Sequence, residues 1–119
     1  MENSMEKIIA CNCSSQIKRI VQPMHIIWQE AEKKDAGQTL DALVRKRREE
    51  IPEGAQTAMP PESLLLFCDV SQKHLDKILF ALRQKKISID YKAVLTDTNR
   101  RWTLARLYME MEREKKSLG

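Results

Sequence analysis

The distribution of apolar residues along the chain predicts four strands and four helices. Short apolar runs occupy residues 7–13, 24–28, 64–68 and 91–95. A continuous apolar run of this length is typical of a strand that is buried on both faces. After each run, apolar residues recur at spacings of three and four, which places them on one face of a helix. These helical positions are Ile17, Ile20 and Val21; Leu40, Leu43 and Val44; Leu75, Ile78, Leu79 and Leu82; and Leu104, Leu107, Tyr108 and Met111.

Polar residues and prolines mark the ends of these elements. Short oxygen-bearing side chains precede each helix and can accept hydrogen bonds from its free backbone amides. The candidate caps are Ser14 or Ser15, Thr39, Asp69 or Ser71, and Thr103. Pro23 should end the first helix, because proline has no amide and clashes with the preceding turn. Residues 51–62 contain three prolines and Gly54 without any helical stripe, so we interpret them as a connecting loop.

The two parts of the chain on either side of this loop are similar. Residues 7–50 and 63–116 have the same predicted order of strand, helix, strand and helix, and residues 39–43 match residues 103–107 in pattern. We therefore predict one α/β domain over residues 1–119, built from a duplicated unit, with helices packed on a four-stranded sheet. The alternative is a ferredoxin-like α+β fold, in which the loop lets the second half run antiparallel in a mixed sheet. The strand order stays open.

Composition narrows the classes of protein to which the chain could belong. With 119 residues and 42% hydrophobic residues, the chain can bury roughly two-thirds of its unfolded surface. The net charge is only +4 although 32% of the residues are charged, which is typical of a well-solvated surface. Trp, Tyr and Phe occur twice each, too few for a surface that stacks single-stranded nucleic acid.

The composition also indicates in which cellular compartment the protein is expected. No apolar run reaches the ~20 residues of a membrane span, and the N-terminal residues are too polar for a secretory signal. Three cysteines cannot all pair within one chain, which favours a reducing compartment. We expect a cytoplasmic protein that does not bind membranes.

We interpret the cysteines themselves as core residues. Cys11, Cys13 and Cys68 lie in or beside apolar runs, whereas structural zinc ligands normally converge from turns. The two histidines, His25 and His74, are distant from them in sequence. We predict no metal site and no cofactor.

A resemblance to a known family rests on the second half. From residue 92 the chain reads Lys-Ala-Val-Leu-Thr-Asp-Thr-Asn-Arg-Arg-Trp-Thr-Leu. This segment, together with residues 67–71 and the stripe of residues 75–83, resembles the bacterial family catalogued as domain of unknown function 3783. Members usually read Lys-Ala-Val-Leu-Thr-Pro-Thr-Asn followed by a basic residue, Trp and Thr. The resemblance implies an order of elements but no activity, ligand or cofactor.

Two residues depart from the family pattern. Asp97 replaces the usual proline, which implies a less rigid turn. Arg106 replaces an acidic residue that often completes a capping box with Thr103, which implies a weaker helix cap.

The polar residues around this turn form the candidate site. The ends of strands in open α/β sheets bind ligands, and hydroxyl, amide and guanidinium groups could hold an anion or a partner's backbone. The candidate residues are Lys92, Thr96, Asp97, Thr98, Asn99, Arg100, Arg101 and Trp102. The alternative is a structural turn, in which Asn99 adopts a left-handed conformation and Trp102 packs the last helix onto the sheet.

The basic run of residues 45–48 also has two interpretations. At the end of a helix it would be a solvated face that complements the negative end of the helix dipole. It could instead contact nucleic acid, provided that it shares one face with Arg100 and Arg101.

No catalytic pattern is present, since the sequence has no Ser-His-Asp order and no glycine-rich phosphate loop. We therefore lean against an enzyme and expect a small module that binds a protein partner or a second copy of itself. The second hypothesis is a domain that binds a small ligand or anion at the turn of residues 96–101. The third, which the sequence favours least, is a nucleic-acid accessory protein.

Overall fold

The computed structural model describes residues 5–54 and 58–118, and it shows the predicted α/β architecture. In this part of the chain, four strands form one sheet and four α-helices accompany them. The strands are β1 (Lys7–Cys11), β2 (Ile27–Glu30), β3 (Leu64–Cys68) and β4 (Tyr91–Val94). The helices are α1 (Ser15–Val21), α2 (Leu40–Val44), α3 (Gln72–Gln84) and α4 (Leu104–Leu118). Short 3-10 helices occupy Gln22–Met24, Lys33–Asp35 and Asn99–Arg101.

The sheet is mixed, with the strand order β2-β1-β3-β4. β1 pairs with β2 in parallel and β3 pairs with β4 in parallel, as helical crossovers require. The two central strands are antiparallel, with Ile9 opposite Leu66 at their midpoint. The order strand, helix, strand, helix is confirmed in both halves, while their origin by duplication stays a prediction.

The chain divides into two compact units, and each takes elements from both halves of the sequence. The first unit comprises Met1–Glu30 and Glu62–Val94, and it contains the sheet with α1 and α3. The second comprises Ala31–Pro61 and Leu95–Gly119, and it contains α2 and α4.

The core of the first unit explains the continuous apolar runs. Ile8 and Phe67, with their alternate neighbours, pack against buried residues of α1 and α3. Ile9 and Leu66 point to the opposite face of the sheet and are also fully buried. Both faces of the central strands therefore exclude water, and no polar alternation appears in the sequence.

The predicted helix caps are confirmed. In each case a side-chain oxygen accepts a hydrogen bond from a backbone amide of the first turn at 3.1–3.2 Å. The capping residues are Ser14, Thr39, Ser71 and Thr103. Asp69 has a different role: with a φ of 57° it makes a left-handed link between β3 and α3, as Asn12, with a φ of 54°, does after β1.

Several element boundaries differ from the prediction. β1 ends at Cys11, so Asn12 and Cys13 lie outside the strand. β2 begins at Ile27 instead of Met24, because Pro23 and Met24 lie in a 3-10 turn that follows α1. α2 ends at Val44, so residues 45–48 do not continue the helix, and Lys46 adopts a left-handed φ of 57°. The described residues of the connecting loop, 51–54 and 58–62, contain no helix or strand, as predicted.

Candidate functional site

The turn after β4 is closed by a reciprocal pair of hydrogen bonds. The backbone N–H of Thr96 donates to Asn99 Oδ1 at 2.8 Å, and the backbone N–H of Asn99 donates to Thr96 Oγ1 at 3.1 Å. Asn99 is buried and begins a 3-10 helix without a positive φ. The expected left-handed conformation at Asn99 is therefore wrong. The amide is needed here for its hydrogen-bonding groups, not for conformational freedom.

This closed turn directs the side chain of Arg100 to a carboxylate on α2. Arg100 Nη1 donates to Asp41 Oδ1 at 3.1 Å. Arg45 Nε donates to the same oxygen at 3.1 Å, and Arg47 Nη2 donates to Asp41 Oδ2 at 3.3 Å. Three guanidinium groups thus converge on one carboxylate, which has enough lone pairs to accept from all three. We call Asp41, Arg45, Arg47, Glu49, Arg100 and Arg101 the Asp41 cluster.

Five residues of the Asp41 cluster, all except Arg47, line a surface depression of about 330 Å³. Thr39 also lines the depression, and its hydroxyl donates to Glu49 Oε1 at 3.1 Å. Glu49 Oε2 accepts from Arg47 at 3.4 Å. The Asp97 carboxylate lies 3.9 Å from Arg100 Nε. The four arginines of the Asp41 cluster and the three carboxylates of Asp41, Glu49 and Asp97 together have a formal charge of +1.

Unused hydrogen-bond donors of the Asp41 cluster lie on Arg100 and Arg101. Among the described residues Arg101 makes no ion pair, although it lines the depression. Arg100 Nε is buried and has no hydrogen-bond acceptor in the described part of the chain, since 3.9 Å to Asp97 is too long for a hydrogen bond. A buried donor without an acceptor is rare in proteins, and an anionic oxygen would satisfy it.

The other predicted site residues lie apart from this depression or serve the scaffold. Lys92 is exposed on β4 and lines a different depression with Leu79, Leu82, Arg83 and Ile87. Thr98 is exposed in the turn. Trp102 is half-buried, and the Arg106 guanidinium lies 4.7 Å from the centre of its ring. Arg106, which departs from the family pattern, thus forms a cation–π contact.

Sequence reasoning missed Asp41, Thr39 and Glu49 as site residues. They reach the turn because Thr39 and Thr103 form an antiparallel bridge immediately before their helices. Around the bridge, Leu40 N–H donates to the Trp102 carbonyl at 2.9 Å and Leu104 N–H donates to the Gln38 carbonyl at 3.0 Å. The matching pattern of residues 39–43 and 103–107 was the available signal, since it includes both residues of the bridge.

The basic run of residues 45–48 is exposed, as expected for a solvated face, but it follows the end of α2 and three of its residues form ion pairs. Besides the contacts of Arg45 and Arg47, Arg48 Nη1 donates to the buried Asp35 carboxylate at 2.8 Å. The buried side chain of Gln38 pairs with the backbone of Glu49 through hydrogen bonds of 2.8 and 2.9 Å. These contacts link the run to the segment before α2.

A second charged cluster anchors the start of α3. His74 Nδ1 lies 2.7 Å from Glu6 Oε1, and the Ser71 backbone N–H donates to Glu6 Oε2 at 2.7 Å. Burial raises the pKa of Glu6, but the Ser71 hydrogen bond and His74 together lower it below its ordinary value. Since the Ser71 hydroxyl caps α3, these residues hold the helix and do not form a nucleophilic site.

The cysteines lie where core residues were expected. Cys11 and Cys68 are buried and Cys13 is half-buried, and none of the three forms a disulfide. In the part of the chain that the structure describes, no three His, Cys, Asp or Glu side chains group closely enough to hold a metal ion. The Cys13 thiol donates to the carbonyl oxygens of Cys11 and Leu64 at 3.3 and 3.4 Å.

We predict slow labelling of these thiols in the native protein. Burial raises the pKa of Cys13, the nearby carboxylates of Glu30 and Asp90 raise it further, and the two carbonyl contacts oppose this only in part. Because the thiolate is the reactive form, labelling with a thiol reagent should be slow at pH 7 and should accelerate as the pH rises. Denatured protein is the control. Labelling of the folded protein at the denatured rate would contradict the prediction.

Comparison with known proteins identifies one family. Residues 63–118, which run from β3 to the end of α4, match the model described as Domain of unknown function (DUF3783). No curated protein matches the chain, and no solved structure matches it. Within the described residues, no helix has both the length and the apolar character that crossing a membrane would require.

Proposed function

We propose that this protein binds anionic ligands at the Asp41 cluster and is not an enzyme. Through residues 63–118, the chain belongs to the family Domain of unknown function (DUF3783). The family description carries no activity, so the proposal rests on geometry. A concave polar site at the turn of residues 96–101 is what the second of the sequence hypotheses required. Binding of a protein partner or of a second copy stays a prediction.

The observation that carries the proposal is the convergence of Arg45, Arg47 and Arg100 on Asp41. The carboxylate holds the three side chains in fixed positions before any ligand arrives, which reduces the entropic cost of binding. Arg101 and the unpartnered Arg100 Nε supply donors that no protein group satisfies within the described residues. Planar guanidinium groups match phosphate and carboxylate oxygens in pairs, so the ligand should carry such a group.

Binding, as opposed to catalysis, fits the chemistry of these side chains. Arginine keeps its proton at all physiological pH values, so it cannot act as a general acid or base. The two carboxylates that line the depression, Asp41 and Glu49, are engaged with guanidinium groups. The cluster can hold and orient an anion, and it offers no nucleophile. We place the protein in a bacterial cytoplasm, an assignment supported by its three cysteines, none of which forms a disulfide, and by the family resemblance.

A calorimetric titration with inorganic pyrophosphate tests the proposal. Arg101→Ala should weaken binding about tenfold or more, equivalent to about 1.4 kcal/mol, while the fold stays intact because Arg101 makes no ion pair among the described residues. Arg113→Ala is the matched control, since Arg113 is an exposed arginine that pairs with Glu110 on α4. Absence of binding by the parent, or an equal loss in both variants, would rule out the site.

A further inference from the structure

The helical surface of the first unit carries cations that no carboxylate neutralises in the part of the chain that the structure describes. We call it the α1–α3 face. Its basic residues are Lys18 and Arg19 on α1, Lys73, Lys77 and Arg83 on α3, Lys85 and Lys86 directly after α3, and Lys92 on β4. Within the described residues, none of these eight forms an ion pair. The arginines of the Asp41 cluster differ, because three of them bind carboxylates.

Acidic residues are nearly absent from the same helices. α1 contains none, and α3 contains only Asp76, which accepts a hydrogen bond from Gln72 Nε2 at 2.8 Å. The whole chain has a net charge of only +4, and its other carboxylates lie outside α1 and α3. These two helices are therefore more basic than the composition of the chain indicates.

The packing of the first unit brings these cations to one side. Ile17 of α1 and Ile78 of α3 belong to one core on the same face of the sheet. A depression of about 480 Å³ is lined by residues of α1, including Arg19, and by Lys85 directly after α3. A second depression, of about 270 Å³, includes Arg83 and Lys92. Four of the eight cations thus line these two depressions.

The outer surface of α3 continues the pattern. Lys73, Lys77, Phe80 and Gln84 are all exposed and follow one another at spacings of four, three and four residues, so they form one stripe along the helix. At 1.5 Å per residue, the stripe extends over roughly 16 Å. Phe80 is the sole exposed aromatic side chain on α1 or α3.

We infer that the α1–α3 face binds the phosphate backbone of double-stranded nucleic acid. Lysine and arginine side chains without internal partners can neutralise phosphates and release condensed counterions, which is the main source of sequence-independent affinity. Single strands need several aromatic side chains for base stacking, and Phe80 alone does not provide them. A protein interface of ordinary size needs an apolar centre, and Phe80 is the single apolar residue of this stripe.

Fluorescence anisotropy with a labelled duplex of mixed sequence tests the inference. The parent protein should bind at low salt, with an affinity that falls steeply as salt is added. Lys73→Gln combined with Lys77→Gln should weaken binding roughly tenfold and reduce the slope of log K against log salt by about two, roughly one for each phosphate that is no longer neutralised. The melting temperature of the variant should match that of the parent, since both lysines are exposed.

The matched control is Lys33→Gln combined with Lys34→Gln, which removes the same charge from two exposed lysines of the second unit. This variant should leave duplex binding unchanged. Arg101→Ala should also leave it unchanged, so a failed test of the α1–α3 face can be distinguished from a failed test of the Asp41 cluster. The inference is overturned by absence of duplex binding at low salt or by an equal loss in the control. Anionic lipid vesicles or polyglutamate that bind as tightly as the duplex would overturn it too.

Discussion

Phe67→Ala is expected to lower the free energy of unfolding by about 3–5 kcal/mol, the usual cost of deleting a buried aromatic ring. Phe67 lies on a central strand, is 2% exposed and belongs to the core between the sheet and its two helices. A domain of this size has a total stability of roughly 5–15 kcal/mol, so the loss would be a large part of it. Denaturant unfolding monitored by circular dichroism gives the value.

The matched control is Phe80→Ala. Phe80 is the other phenylalanine of the chain and is 57% exposed on α3. Its truncation removes little buried area and should change the unfolding free energy by no more than about 0.5 kcal/mol. Equal losses in the two variants would mean that α3 buries a different face from the one described.

Asn99→Gly is expected to destabilise the protein by about 1–3 kcal/mol, contrary to what a left-handed asparagine would predict. The substitution removes the Oδ1 atom that accepts from the Thr96 amide, and it leaves a donor unsatisfied at a partly buried position. Glycine also has more conformational freedom in the unfolded chain than asparagine has, which lowers the stability of the folded protein further. Thermal unfolding followed at several denaturant concentrations measures the change.

Asp69→Gly is the comparison for Asn99→Gly, because here glycine replaces a residue that has a positive φ. Asp69 is exposed after β3 and has a φ of 57°, a conformation that costs a residue with a Cβ about 1–2 kcal/mol. Glycine should therefore be tolerated or should stabilise the protein slightly. If Asn99→Gly were neutral and Asp69→Gly strongly destabilising, the two turns would have been assigned the wrong roles.

The sequence predicted the elements of the fold because their determinants are local. Ser71 and Thr103 sit one residue before helices whose first amides need an acceptor, and this requirement is visible in any short window. The run of residues 64–68 is apolar at every position because both faces of β3 are buried. The conformation of Asn99 was missed because asparagine suits both a left-handed turn and a hydrogen-bonded one.

Only the tertiary structure decided how charges that are distant in sequence combine. Arg100 and Asp41 are 59 positions apart, and their contact depends on the pairing of Thr39 with Thr103. Likewise, the chain has nearly balanced charges overall, yet folding collects on the α1–α3 face cations that form no ion pair with any described residue. The sequence by itself determined strands, helices and caps, since those depend on neighbouring residues. The antiparallel centre of the sheet, the Asp41 cluster and the basic face depend on long-range packing, which no local pattern records.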